Sequence, residues 1–330
     1  MKKLLFLILI IAALIITFGY RYYADALNYA LSPEGTDRVV IVVKPGDMAS
    51  DVADQLYEKE LIKSPAVFAF YLGQQGLDDQ IKAGRIVVQE NYTLSEIIDA
   101  LIEGKTTEMP VTILEGWTVQ QIADYMEQEG FTTAEEFMEC AETCEFEGDH
   151  LPDGYVEGYL YPDTYFVDPA SYNNQRFIQR LITTFENKLD DDVWIPLEKE
   201  NRMLEEVIIM ASIIEREERD PDERSTVAGI LWNRYDANIG LGADATVLYA
   251  LGRTKGGLSY DDLQVDSPYN TRKYAGLPPT PICNPNITSI KAAADPTLTD
   301  YWYYLHDADG NVHYAKTLDE HNTNKAKYIN

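Results

Sequence analysis

The first strong pattern in the chain is an uncharged apolar run from Leu4 to Tyr20, set behind Met1-Lys2-Lys3. At about 17 residues it stands at the lower limit for crossing a bilayer as a helix. Tyr20, Tyr22 and Tyr23 cluster at its far end, where aromatic rings favour the membrane–water interface. Lys2 and Lys3 place the short N-terminal end in the cytoplasm, which puts everything beyond about Arg21 outside. A cleaved signal peptide is the alternative, because Ala24-Asp25-Ala26 loosely resembles a cleavage site. The run exceeds the usual apolar region of about 7–15 residues, which favours an anchor. Either way the body is exported.

Pro33 and Gly35 break any helix between residues 24 and 37, which reads as a linker. Beyond it the apolar spacing changes period. Val39-Val40-Ile41-Val42-Val43 predicts a strand ending at Pro45-Gly46, and a helix follows with Val52, Leu56 and Tyr57 on one face. The unit recurs. Ile86-Val87-Val88 precedes a helix carrying Ile97 and Leu101, and Val111-Thr112-Ile113-Leu114 precedes one carrying Ile122 and Met126. The unequal spacing excludes a solenoid, and such β–α units serve equally as a binding module or as packing.

From about Gly130 the chain is helical and acidic, then tyrosine-rich from Glu157 to Phe166. Helical spacing resumes at 174–189 and 204–218, with another helix over 222–235. A Pro-rich loop occupies 267–285. Tyr301–Leu305 and Val312–Tyr314 flank Asp309-Gly310, which predicts a hairpin. The fold class is α+β.

Charge narrows the function. Fifty-five acidic residues against 27 Lys and Arg give a net charge of −28, which argues against nucleic acid and against electrostatic docking on anionic lipid. Three cysteines make no disulfide framework. Cys140 and Cys144 would share a helix face and could bridge, but free thiols are the preferred reading.

Four histidines show no metal-ligand spacing, and neither a nucleophile elbow nor a P-loop is present. Carboxylates, amides and tyrosines remain, a set suited to carbohydrate chemistry. Leu204, Ile208, Ala211, Glu215 and Glu218 fall on one helical stripe, and Glu215 takes a place where an apolar residue is expected. Apolar neighbours disfavour the charged form of a carboxylate, as a general acid in glycoside cleavage requires. The run Val207–Ile214 is apolar all round, so Glu215 could equally mark where a buried helix meets solvent. Tyrosines, each with an apolar face and a hydroxyl, and the stiff loop carrying Tyr269, Asn270 and Thr271 fit either a sugar cleft or a packed core.

At these residues the chain resembles the endolytic murein transglycosylases, the MltG or YceG-like family. The matching stretches are Glu157–Tyr165, Ala211-Ser212-Ile213-Ile214-Glu215-Arg216-Glu217, Val227-Ala228-Gly229 with Asn233-Arg234, and Ser267–Thr271 running into Gly276–Pro279. Pro281–Pro285, Ser289–Ala293, Lys316-Thr317 and Glu320-His321-Asn322 complete a resemblance that covers nearly the whole chain.

The resemblance implies a membrane anchor over 1–23, a linker over 24–37, a LysM-like glycan-binding module over 38–105 and a catalytic domain over 106–330. It implies cleavage of the β-1,4 bond between N-acetylmuramic acid and N-acetylglucosamine without water or cofactor. Glu215 would protonate the leaving oxygen and then take the proton of the C6 hydroxyl as that oxygen closes on C1. An internal nucleophile removes the need for a second carboxylate. Substrate contacts are implied at Glu157, Tyr159, Asp163, Thr164, Tyr165, Asn233, Asp244, Thr246, Tyr269, Asn270 and Thr271. The partners implied are peptidoglycan strands, the membrane and glycan-polymerising synthases. Where the family usually shows Leu-Gln-Ser-Asp-Pro-Thr, this chain has Leu241-Gly242-Ala243-Asp244-Ala245-Thr246. The rivals are a muramidase, differing by attack of water, and a wall-binding scaffold with a decayed site.

Overall fold

The computed structural model describes residues 2–44, 46–104 and 108–329. Pro45 at the expected strand end, and the expected domain boundary at 105–106, lie outside them. The chain divides into two compact units, Met1–Pro110 with Phe166–Tyr172 and Val111–Tyr165 with Asn173–Asn330.

The first unit begins with α1 (Lys2–Leu27). Leu9–Leu27, with mean hydropathy 1.3 and only 6% of it buried, is long and apolar enough to cross a membrane. β1 (Arg38–Val43) and β2 (Gly84–Gln89) pair antiparallel with Ile41 opposite Ile86. Alternation turns Ile41, Val43, Ile86 and Val88 into the core, where α2 (Ala49–Glu58), α3 (Pro65–Gln75) and α4 (Leu94–Glu103) add Leu56, Phe68 and Ile97. The expected strand–helix pairs are present as β1–α2 and β2–α4. α3 was not expected, although Ser64 caps it and Pro65 opens it.

β3 (Met109–Thr112) and β4 (Thr164–Val167) straddle the division between the units. In the second unit α5 (Val119–Gln128) and α6 (Ala134–Thr143) each start with a reciprocal box, Thr118 with Gln121 and Thr133 with Glu136. The preferred reading of free thiols at the end of α6 is overturned, because Cys140 and Cys144 form a disulfide. Cys144 leaves the helix in an extended conformation, with its Cα 4.8 Å from that of Cys140.

α7 (Asn174–Lys188), α8 (Asp191–Glu200), α10 (Arg224–Asp236), α11 (Asp244–Ala250) and α12 (Ile287–Ala294) accompany the central helix α9 (Leu204–Glu217). α9 buries every residue from Val207 to Ile214, which is why its sequence is apolar on all sides. The Trp232 indole on α10 donates to the Ala293 carbonyl on α12. The hairpin of β5 (Tyr303–His306) and β6 (Val312–Ala315) forms as expected, Tyr304 facing Tyr314, before α13 (Leu318–Tyr328).

Candidate active site

The Pro-rich loop is fastened to α9 by its backbone. Ile282 N donates to Ser212 Oγ at 3.0 Å, and the buried Cys283 thiol points at the Ser212 carbonyl. Asn284, fully buried, uses its whole amide. Its Oδ1 accepts from Gly158 N and Leu160 N at 3.0 and 2.8 Å, and its Nδ2 donates to the Trp117 carbonyl at 2.9 Å and to Glu157 at 3.3 Å. The loop, the tyrosine segment and the turn before α5 therefore meet at one side chain.

Glu215 stands at the end of α9, and its side chain is 5% exposed. Its neighbours are polar rather than the apolar ones its stripe predicts. Oε1 accepts from Arg224 Nη2 at 3.1 Å, and Oε2 accepts from Asn286 N, at the start of α12, at 3.0 Å. Arg224 also donates to the Glu218 carbonyl at 3.1 Å and to Asn286 Oδ1 at 2.9 Å. The carboxylate thus ties α9 to the first turns of α10 and α12.

Glu217, two residues on, points elsewhere because each helical residue turns about 100°. It is half-buried. Its Oε1 accepts from Ala245 N at 3.3 Å and its Oε2 from the Tyr304 hydroxyl at 3.1 Å. Burial pushes its pKa up, against the pull of those two donors. It lines a cavity of about 520 Å³ with Arg234, Gly242, Asp244, Arg272 and Tyr304, a volume suited to a small ligand or sugar units. Sequence reasoning passed over Glu217, although it closes the same matched motif, because an all-apolar helix has no face to single it out.

Asp244 is the one expected contact residue on that cavity, and it holds Arg272 at 2.6 Å. Gly242 takes a left-handed φ of 68°, and a Cβ there would lie 3.2 Å from Arg234 Nη2. Most other expected contacts are engaged inside the protein. Tyr159 packs its ring on Phe185, and the Tyr165 hydroxyl donates to the Tyr161 carbonyl. Thr246 and Thr271 bond each other at 2.8 Å, and Asn270 holds the Leu263 and Val265 carbonyls. The Tyr269 hydroxyl meets Thr280, and the Asn233 amide meets the Thr299 carbonyl. Asp163 and Thr164 are exposed but do not line the Glu217 cavity.

Glu157 is buried as well. Val119 N donates to both of its oxygens, at 3.2 and 3.1 Å, and the Tyr249 hydroxyl approaches at 3.4 Å. Burial outweighs these donors and pushes its pKa up to about 8. Among the described residues no group of His, Cys, Asp and Glu is arranged to hold a metal.

A family model described as the YceG-like family matches residues 41–327. An endolytic murein transglycosylase of Bacillus subtilis is 31% identical over 327 residues, covering 94% of this chain and 90% of that protein. One of Streptococcus pneumoniae is 26% identical over 346 residues, and the match spans 95% of this chain and 62% of the relative's length. The crystal structure of a yceG-like protein from Listeria monocytogenes superposes with a TM-score of 0.60 at 30% identity, covering 87% of this chain and 99% of that one.

Proposed function

The chain belongs to the YceG-like family, and we propose that it cuts murein glycan strands as a lytic transglycosylase through Glu217 rather than Glu215. Its relatives are named endolytic murein transglycosylases. The observation that carries the choice of residue is the pairing of a half-buried carboxyl with a ligand-sized cavity. Glu217 faces that cavity and has its pKa raised by burial. Protonated, it gives its proton to the glycosidic oxygen between N-acetylmuramic acid and N-acetylglucosamine. As a carboxylate it then takes the proton of the muramyl C6 hydroxyl while O6 bonds to C1, leaving a 1,6-anhydro end. Ala245 N and Tyr304 steady the carboxylate in that second half. Glu215 has the motif position on its side, but its side chain is 5% exposed, paired with the Arg224 guanidinium, and does not line the cavity.

The chain around the site has its own part in this reading. α1 anchors the protein by a single pass, with Lys2 and Lys3 inside and the body outside. The unit built on β1 and β2 is a LysM-like module that holds the strand, and cutting near the membrane limits the length of strands made by neighbouring synthases.

The test is digestion of purified murein by the full-length chain, with mass spectrometry of the new ends. Anhydro ends from the parent and the Glu215→Gln chain, and none from Glu217→Gln, are expected. Reducing ends without anhydro sugar would make it a muramidase, and loss of cutting confined to Glu215→Gln would return the role to Glu215.

A further inference from the structure

The cavity beside Glu217 contains a cation with nothing to hold. Arg234 is half-buried on α10, its Nε is shut off from solvent without a hydrogen-bond partner, and burial pulls its pKa down. Among the described residues no carboxylate pairs with it; its near neighbour is the Tyr303 ring, whose centroid lies 5.7 Å away. Every other cation buried to this degree in the second unit has an acceptor, as Arg224 has Glu215 and Arg216 has the Gly116 and Thr254 carbonyls. A guanidinium whose Nε is shut off from solvent without an acceptor is costly, and the cost is unexpected in a chain with 55 acidic residues to 27 cations.

Nitrogen-bearing side chains of α13 line the same cavity. His321 lies on the same cavity with its Nδ1 buried and unpartnered, and burial together with Lys325 and Arg234 pulls its pKa down. Lys325 lines the wall one helical turn on. Arg272 is neutralised by Asp244, and Glu217 is occupied by Ala245 and Tyr304. Gly242 leaves the guanidinium uncovered, since any side chain there would begin 3.2 Å from Nη2.

We propose that Arg234, backed by His321 and Lys325, receives a carboxylate carried on the muramyl side of the strand, so that the site selects acidic glycan over neutral glycan. This rests on the reading of the cavity as the place of cleavage. A muramyl residue supplies such a group either as its lactyl carboxylate, where the peptide stem has been removed, or as a carboxylate of the stem. A planar guanidinium takes either one in bidentate fashion. Chitooligosaccharides have neither.

Binding is measured with the full-length chain in detergent carrying Glu217→Gln, so that strands stay intact. The probes are strands of one length with stems, with stems removed, and with every carboxylate amidated, plus chitooligosaccharide. Amidation is expected to weaken binding about tenfold. Arg234→Gln should reproduce that loss on acidic strands and leave chitooligosaccharide unchanged, and Arg234→Lys should recover part of it. In the active chain the loss should fall on KM more than on kcat. A loss on amidation that persists after stem removal assigns the lactyl carboxylate, and one confined to stem-bearing strands assigns the stem. Equal affinity for amidated and acidic strands overturns the proposal even if Arg234→Gln does not fold. Selective binding by a chain that makes no cuts would keep the carboxylate site and reject the catalytic reading instead.

Discussion

Glu215 and Glu217 stand two residues apart on α9 and meet opposite kinds of partner. Glu215 accepts from the Arg224 guanidinium at 3.1 Å, whereas Glu217 accepts from the Tyr304 hydroxyl at 3.1 Å on the wall of a cavity. One carboxylate is enclosed by the fold and the other lines open space.

Their substitutions separate accordingly. Glu217→Gln should leave the melting temperature nearly unchanged and reduce cutting by at least about a hundredfold, the usual scale for a lost acid–base group. Glu215→Gln leaves Arg224 buried without its counter-charge, and should cost about 3 kcal/mol of stability. Thermal unfolding beside anhydro-end counting checks both, the counting done well below either melting temperature.

Two donors lower the pKa that burial raises at Glu217. A general acid works protonated, so its rate falls as pH rises through that pKa. Tyr304→Phe removes the donor to Oε2 and should move the alkaline limb of kcat/KM to higher pH. Ala245→Pro removes the N–H that donates to Oε1 while standing in the first turn of α11, where proline is tolerated. It should shift the limb the same way. A limb that stays put in both variants would show that Glu217 is not the acid.

Glu157 makes stability depend on pH in a stated direction. Its pKa rises from 4.5 to about 8 on folding, so between those values the native state keeps a proton that the unfolded chain has released. Stability therefore falls as pH rises across that window and levels above it. Glu157→Gln, which cannot ionise, should remove a fall of a few kcal/mol. The check is the difference in melting temperature between parent and variant at pH 5 and pH 8.5, which should shift in favour of the variant at the higher pH.

Reduction of Cys140–Cys144 opens a loop of four-residue separation. A closure that short contributes about 2 kcal/mol by restricting the unfolded chain. Cys140→Ser with Cys144→Ser should lower the melting temperature of the second unit, and dithiothreitol should do the same to the parent and nothing further to the variant.

Gly158 has a φ of 92°, and a Cβ there would meet Pro281 Cγ at 2.4 Å and Ile208 at 3.2 Å. The tyrosine segment passes this close to the Pro-rich loop because Asn284 binds the Gly158 and Leu160 amides. Gly158→Ala should destabilise by about 2 kcal/mol or more through both strain and overlap. Chemical denaturation of the two chains measures it.

Local pattern alone determined much of this protein. The apolar N-terminal run, the strand–helix pairs β1–α2 and β2–α4, α7 to within a residue and the hairpin around Asp309-Gly310 all follow from spacing and turn chemistry, because each rests on neighbours in the chain. The family, too, was legible in ordered motifs. What spacing could not decide was which acid on α9 faces open space. A helix buried from Val207 to Ile214 has no polar face, so its pattern carries no direction. The direction came from partners about 70 to 90 residues further along, Asn286 for Glu215 and Tyr304 for Glu217. The same distance in sequence hid the uncompensated charge of Arg234, since a missing partner becomes visible only when every element that could have supplied one is in place.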